Sequence, residues 1–598
     1  GLQGIHRDSL FVGNIVMCRP PDNKLGANEV KCCFPILEQT IRGVPSLKVL
    51  VPMGNTALSK LMGFGGKHSG GITKHRGRVI HTKYGVLVPT FHPAYWLRNP
   101  ELKDIQGLSI FDLIVADLLM AVKYSRGVFD SDVDYGALTT LEDIQAFIQE
   151  LKDSKGFAYD CETTGLSVQT DQLVGIAFSP TEEFARYIPI RTVNESGDAE
   201  FFGPFANPAS RRHLLKKLAN LMGSPVPKIN HNLIFDTQFI RKELGVWPEN
   251  QVHDTMLSAH LLNSEGGPFK LEVLIGRHFP DLVKFKALRN ELFKSAKQAD
   301  EQEAGVGRLP LEKMVLYACG DADGALRLAR KYRTEIQDVG LTSFYTKTVV
   351  MPLMEALARA EYTGIAIDME RGVGLSRRYS LEASRLRLQF QDEIHRLFGL
   401  PGFNPNSQPQ TLDLLYSKMK FPKPERTTGA GAPPTDRDVM IEFYLQDDTP
   451  QEYRNILKWI MDYGKIENAR STFIDGPLSK VVDGVLHPGI FQIGTRTGRL
   501  SCKNPNLMNP PRDAEANPWA AEVKTMYMAR PGYVLLTPDF SQIELRVSAF
   551  YTQDPVMVGA YQRGDDVHKN TESEIFAIPL SEVSKDQRSA AKTVNFAV

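Results

Sequence analysis

Phe157-Ala158-Tyr159-Asp160-Cys161-Glu162 decides the fold of the middle of this chain. The run has strand character, and side chains two apart on a strand share a face, so Asp160 and Glu162 point together. Two carboxylates side by side repel unless a cation lies between them. Downstream, His231-Asn232-Leu233-Ile234-Phe235-Asp236 reads as a helix that carries Asn232 and Asp236, four apart, on one face. Tyr317-Ala318-Cys319-Gly320-Asp321 repeats that spacing with a phenol and a carboxylate. Any one of these pairs is an ordinary surface feature; the ordered set is not.

DxE on a strand, then NxxxD, then YxxxD resembles the three motifs of DEDD-type 3′→5′ proofreading exonucleases. Thr163-Thr164-Gly165-Leu166 fits the tail of the first motif, and His253-Asp254-Thr255-Met256-Leu257 fits a family-typical helix start with no assigned catalytic role. The resemblance implies an RNase H-like fold, a sheet flanked by helices. It also implies that Asp160, Glu162, Asp236 and Asp321 hold two Mg²⁺ or Mn²⁺ ions. Tyr317 would orient the attacking water, and Asn232 would contact the single-stranded 3′ end.

Further on, Thr495-Arg496-Thr497-Gly498-Arg499-Leu500-Ser501, Asn504-Pro505-Asn506-Leu507 and Asp539-Phe540-Ser541-Gln542-Ile543-Glu544-Leu545-Arg546 resemble segments of family A DNA polymerases. Asp565-Asp566-Val567-His568 and the Arg588, Lys592, Phe596 series follow in the family's order. Asp539 is read as closing an apolar strand, Val534-Leu535-Leu536, and the resemblance makes it a catalytic ligand of both Mg²⁺ ions. Gln542, Ile543, Glu544, His568, Arg588, Lys592 and Phe596 would form the nucleotide site, with Glu544 blocking a ribose 2′-OH. Ser584 and Gln587 have capping-box spacing, and from that cap Arg588, Lys592 and Phe596 fall on one helical stripe. Arg499 and Asn509 are expected at the primer–template minor groove. Met508 stands where the family has Gln, and Ala597 where it has Gly. The family's second metal-binding Asp is expected beyond Val598.

Asn14 through Asn23, Cys33-Phe34-Pro35, Met53-Gly54-Asn55-Thr56-Ala57, Arg76-Gly77 and Thr90-Phe91-His92-Pro93-Ala94-Tyr95 resemble iron–sulfur uracil-DNA glycosylases. Cys18 and Cys33 take the places of that family's last two cluster cysteines, and two thiolates alone are not a cluster site. The first pair and the water-activating acid would lie upstream of Gly1, so an iron–sulfur cluster needs two further Cys from there. His92 would meet the departing uracil. The alternative is a DNA-gripping accessory using Lys74, Arg76, Arg78 and Lys83.

Bulk properties agree with this organisation. At 598 residues the chain is several domains long, and 42% hydrophobic with 23% charged residues reads as soluble globular protein. Lys+Arg and Asp+Glu are both 70, so net charge argues neither for nor against a nucleic-acid partner. Six cysteines are too few for a disulfide framework, and cytosolic thiols are expected. No stretch approaches the roughly 20 apolar residues of a membrane span. Gly1-Leu2-Gln3-Gly4 and Asn595-Phe596-Ala597-Val598 both read as cut ends.

The expected fold is multidomain α/β and α+β. Residues 1–125 would be a glycosylase-like α/β remnant and 126–335 the RNase H-like exonuclease. Residues 336–598 would be a partial right-hand polymerase: thumb, part of the palm, start of the fingers. Tyr124–Tyr135 reads as a linker, Thr348–Leu400 as one long amphipathic helical stretch, and Tyr533–Asp539 as a strand. The expected activity is template-directed DNA synthesis with proofreading, by a monomer acting on primer–template DNA and dNTPs in the cytoplasm of a bacterial or phage-infected cell. Two rivals stand beside it: a nuclease whose polymerase region only binds DNA, and a base-repair enzyme dominated by glycosylase chemistry.

Overall fold

The computed structural model describes residues 10–17, 27–44, 47–62, 71–76, 80–102, 109–125, 133–194, 196–265, 267–279, 282, 309–427, 431–509, 518–584, 587–588 and 591–592. It divides into two compact units, Gly1–Tyr527 and Met528–Val598. Among the described residues no helix is long and apolar enough to cross a membrane.

The first unit begins with a three-stranded sheet. Gly85–Leu87 lies between the parallel strand Val49–Leu50 and the antiparallel strand Ile80–Thr82. Helix Asn55–Leu61 starts after Gly54, whose φ of 85° suits a residue without a Cβ. Leu58, Ile72, Phe91, Ile110 and Leu113 form the core there.

The middle block is a six-stranded mixed sheet in the order Gln251–Asp254, Lys228–Asn230, Phe157–Thr163, Leu173–Thr181, Phe184–Pro189, Asp134–Ala137. Phe157–Thr163 is central, parallel to Lys228–Asn230 and antiparallel to Leu173–Thr181. Helices Leu141–Asp153, Pro208–Met222 and Leu233–Leu244 cover one face, burying Ile148, Leu218 and Phe239 against Phe157, Tyr159 and Phe178. The long helix Leu311–Asp338 covers the other through Met314, Ala318 and Ala322, packed on Val174, Ala177 and Tyr187. Helices on both faces of a sheet are the arrangement expected for this block. Asp134–Ala137 is a sheet strand, so the expected linker ends before it. Helix Ile110–Ser125 runs through the linker's expected start.

The third block corrects one expectation. Thr348–Leu400 holds two helices, Val350–Thr363 and Met369–Phe398, separated by strand Ile365–Ile367. Gly364, at φ 63°, ends the first helix, and Ile365 and Ala366 then pair with Leu486 and Val485. Helical periodicity on both sides conceals this short break. Helix Met369–Phe398 packs along Gln451–Arg470, with Phe390 and Ile394 meeting Ile456 and Ile460.

The second unit corrects another. Tyr533–Asp539 forms no strand, and Leu535 and Leu536 are 51% and 83% exposed. A strand needs a neighbour for its N–H and C=O groups, and this segment pairs with none among the described residues. Helix Ile543–Thr552 follows, packed on Pro555–Arg563, with Leu545, Ala560 and Val567 as its small core.

Candidate functional site

Side-chain alternation along Phe157–Thr163 builds the site. Phe157, Tyr159 and Cys161 enter the core beneath helix Leu233–Leu244, whereas Ala158 packs on Ala325, Leu326 and Ala329 of the long helix. Asp160 and Glu162 share the parity of Ala158 and so face that helix, where Tyr317 and Asp321 sit one turn apart. One carboxylate oxygen from each of Asp160, Glu162 and Asp321 lies within 4.8 Å of the others. All three line a cleft of about 250 Å³ together with Tyr317, Asn232 and Asp236. Glu162 and Asp321 are only 6% and 4% exposed. Such like charges in one cleft, all hard oxygen donors, suit a divalent cation.

Asp236 reaches the cleft from the opposite layer. Its Oδ1 accepts the Cys161 N–H at 2.9 Å, which fastens it to the backbone between the two strand acids. It lines the same cleft but lies outside the three-carboxylate group. Asn232 precedes its helix at the N-cap, in left-handed conformation (φ 68°), so the expected shared helical face with Asp236 is not what brings the two together.

Burial pushes the Asp236 carboxyl up to about 7. A carboxylate normally titrates near 3.9, so the neutral form contributes stability below that value, and this is lost as pH rises through about 7. A cation held by Asp236 would need the ionised form and would offset that loss. The rise in thermal midpoint given by Mg²⁺ is therefore expected to grow between about pH 5 and about pH 8. Thermal unfolding with and without Mg²⁺ across that range checks this, and a shift constant with pH would contradict it.

Several cleft residues escaped the sequence reading. His231 bonds Thr255 Oγ1 through Nδ1 at 2.8 Å, and Lys270 and Glu272 line the rim at the start of helix Leu271–His278. No local pattern announces them. Asp254 caps helix Thr255–Leu262 and also receives the Leu233 N–H at 2.8 Å. His253 beside it is buried, which lowers its basicity to about 3.

Arg499 and Asn509 are both exposed in the third block. Hairpin Gly489–Phe491 with Ser501–Lys503 carries the loop of Arg499, and Thr495 Oγ1 donates to the Arg499 carbonyl at 2.7 Å. That loop meets the middle block, where His260 Nε2 lies 3.1 Å from the Thr495 carbonyl oxygen and Arg496 pairs with Glu265 at 3.2 Å.

In the second unit Asp539, Ile543 and Glu544 are exposed. Gln542 Nε2 donates to Asp566, whose other oxygen takes the Arg588 guanidinium at 2.7 Å. The capping box exists as read: Ser584 N–H donates to Gln587 Oε1 and Gln587 N–H to Ser584 Oγ. His568, expected in the nucleotide site, is 2% exposed, and burial lowers its basicity. Lys592 is exposed, and Phe596 lies outside the described residues.

In the N-terminal block the expected site residues are only partly described. Cys33 is a buried free thiol inside helix Ala27–Arg42, and Cys18 lies outside the described residues. One such thiol does not make a cluster donor set. His92 is exposed and uses Nδ1 to accept the Ala94 N–H at the start of helix Pro93–Arg98. Arg76, expected to grip DNA, is turned inward onto buried Asp117 at 2.9 Å, because that carboxylate needs a partner. Lys83 pairs with Glu38. The side chains of Lys74 and Arg78 lie outside the described residues.

Three family models match the chain: uracil DNA glycosylase superfamily over residues 2–118, 3'-5' exonuclease over 135–337, and DNA polymerase family A over 375–598. DNA polymerase I of Pseudomonas aeruginosa is 28% identical over 472 residues, covering 78% of this chain and 48% of that protein. The DNA polymerase of Bacillus phage SP01 is 24% identical over 662 residues, covering 99% of this chain and 68% of that protein. Thus the chain spans about half the length of the bacterial relative. A POL domain of Pol1 from M. smegmatis, solved in complex with DNA primer-template and dNTP, shares the fold at a TM-score of 0.61 and 22% identity. That likeness covers 77% of this chain and 70% of the other.

Proposed function

We propose, for a chain whose residues 375–598 belong to DNA polymerase family A and whose residues 135–337 belong to the 3'-5' exonuclease family, that the whole protein copies a DNA template and removes mispaired 3′ ends. The observation that carries this reading is the meeting of Asp160, Glu162 and Asp321 in one cleft with Tyr317, on the same chain as the Asp539–Arg546 segment. When bound there, two Mg²⁺ or Mn²⁺ ions would supply hydroxide from coordinated water and offset charge on the leaving 3′-oxygen. Asp160, Glu162, Asp236 and Asp321 hold and orient that centre. The Tyr317 phenol, one turn before Asp321, accepts or donates the hydrogen bond that aims the attacking water. Asn232 and the exposed Leu166 border the path of a frayed 3′ strand.

In the polymerase region Asp539 is the metal-binding carboxylate, and Arg588 and Lys592 attract the triphosphate. Gln542, Ile543, Glu544, His568 and Phe596 complete the nucleotide site. Arg499 and Asn509 lie on the duplex. The N-terminal block acts as a DNA-contacting accessory in which His92 meets the strand. The protein works as a monomer in the cytoplasm of a bacterial or phage-infected cell.

The test uses a 3′-labelled primer annealed with a terminal mismatch. With Mg²⁺ and no dNTPs, release of the labelled nucleotide is expected, several-fold faster from the mismatched than from the matched end. No release from either end, or release only from 5′ labels, would overturn the exonuclease half of the proposal.

A further inference from the structure

The helix that brings Asp236 to the cleft cannot cap itself. Asn232 stands at its N-cap with φ 68°, and its side chain makes no capping bond. Left-handed backbone at a residue other than Gly persists only where its surroundings hold it. The holding group comes from another strand: Asp254 accepts the Leu233 N–H at 2.8 Å and the Asn232 N–H at 3.3 Å. The same carboxylate caps its own helix, taking the Met256 N–H at 2.8 Å and the Leu257 N–H at 3.2 Å. One fully buried carboxylate thus ends two helices, and its position sets where Asn232 and Asp236 stand relative to Cys161 and the strand acids.

Asp254 is held in turn by Tyr345. The phenol donates to the Asp254 carbonyl and accepts the Asp254 N–H, each at 2.8 Å, and the Ser258 hydroxyl lies 2.8 Å from it. Tyr345 is 1% exposed, with its ring centroid 5.0 Å from that of His253. It belongs to the turn Phe344–Thr348, beyond residue 337 where the exonuclease match ends and before residue 375 where the polymerase match begins.

We propose that Tyr345 is a positioning residue for 3′→5′ hydrolysis: it fixes Asp254, which anchors the start of helix Leu233–Leu244 and so holds Asn232 and Asp236 at the cleft. The proposal rests on reading that cleft as the exonuclease site. It makes the joint between the two matched regions part of the hydrolytic machinery, with Tyr345 acting through Asp254. A displacement of about 1 Å in a catalytic group can cost on the order of 10²-fold in rate, so loss of one buried hydroxyl at this distance is expected to cost less than that.

The experiment compares wild-type chain with Tyr345→Phe, which removes one oxygen and keeps the ring. Single-stranded 3′-end hydrolysis is followed as a function of DNA and of Mg²⁺ concentration. The variant is expected to lose about tenfold in kcat with KM within about twofold, and to need several-fold more Mg²⁺ for half-maximal rate. A merely structural tyrosine would lower the thermal midpoint and leave kcat per folded molecule and the Mg²⁺ requirement at wild-type values; that result overturns the proposal. Asp254→Asn keeps the side-chain size and one accepting oxygen, and the same Mg²⁺ shift is expected from it. Wild-type behaviour of folded Asp254→Asn would likewise overturn the proposal. If the wild-type chain itself hydrolyses nothing, the functional reading fails, and this is distinguishable from active wild type with unaffected variants.

Discussion

Alanine at both Asp160 and Glu162 is expected to abolish 3′→5′ hydrolysis, slowing it on the order of 10³-fold or more. The pair supplies two of the three carboxylates that lie within 4.8 Å of one another, leaving of that group only Asp321, with Asp236 elsewhere in the cleft. Electrostatic stabilisation by a bound cation is worth several kcal/mol, and each 1.36 kcal/mol is a factor of ten in rate. Fold integrity is not the limit. Removing two like charges from one cleft relieves repulsion, so the metal-free double variant should melt no lower than wild type. Its Mg²⁺-dependent gain in thermal midpoint should vanish, and single-stranded DNA binding should stay near wild type. Digestion of a labelled 3′ end at the wild-type rate would show that the cleft is not the hydrolytic site.

That cleft was legible because its acids sit at spacings the backbone dictates. A strand period of two joins Asp160 to Glu162, and a helical turn joins Tyr317 to Asp321, so local geometry alone groups each pair. The order of the pairs then supplies the common site. Asp254 was legible only as a helix start. Its second role, capping Leu233 from a neighbouring strand, depends on parallel pairing of Gln251–Asp254 with Lys228–Asn230, which no spacing encodes. Tyr345 was illegible for the same reason, lying 91 residues from Asp254. Gly364 was a missed local signal: a glycine between two apolar-periodic runs can end a helix as well as ride within it. Tyr533–Asp539 failed differently. Its apolar run has strand propensity, but propensity forms a strand only where another backbone completes the ladder. Arg76 was read as open to DNA, whereas the fold turns its guanidinium inward onto Asp117, a partner 41 residues away that no local spacing encodes.

In a protein that contains this chain and extends a primer, Asp539→Ala is expected to remove extension, again by on the order of 10³-fold. Asp539 has no structural duty to confound the result. It is exposed, in a segment without helix or strand, and among the described residues no hydrogen bond ties the fold to its carboxylate in the way Asp566 ties Gln542 to Arg588. The variant should therefore keep the wild-type melting profile and still bind primer–template. Arg588 gives the contrasting outcome. Its pair with Asp566 is partly exposed, 38% and 27% on the two sides, and such pairs are worth about 0–1 kcal/mol. A triphosphate offers several negative charges against the single one of Asp566, so the guanidinium can exchange partners at little cost. Arg588→Ala should accordingly raise KM for dNTP several-fold more than it lowers kcat, whereas Asp539→Ala should act on kcat. Glu544→Ala should leave dNTP incorporation within about tenfold of wild type and chiefly weaken discrimination against ribonucleotides. The assay belongs on an Asp160→Ala, Glu162→Ala background, where degradation cannot mask synthesis. Extension by Asp539→Ala at the wild-type rate would mean that a different carboxylate serves the nucleotidyl transfer, and the assignment of this segment would fall with it.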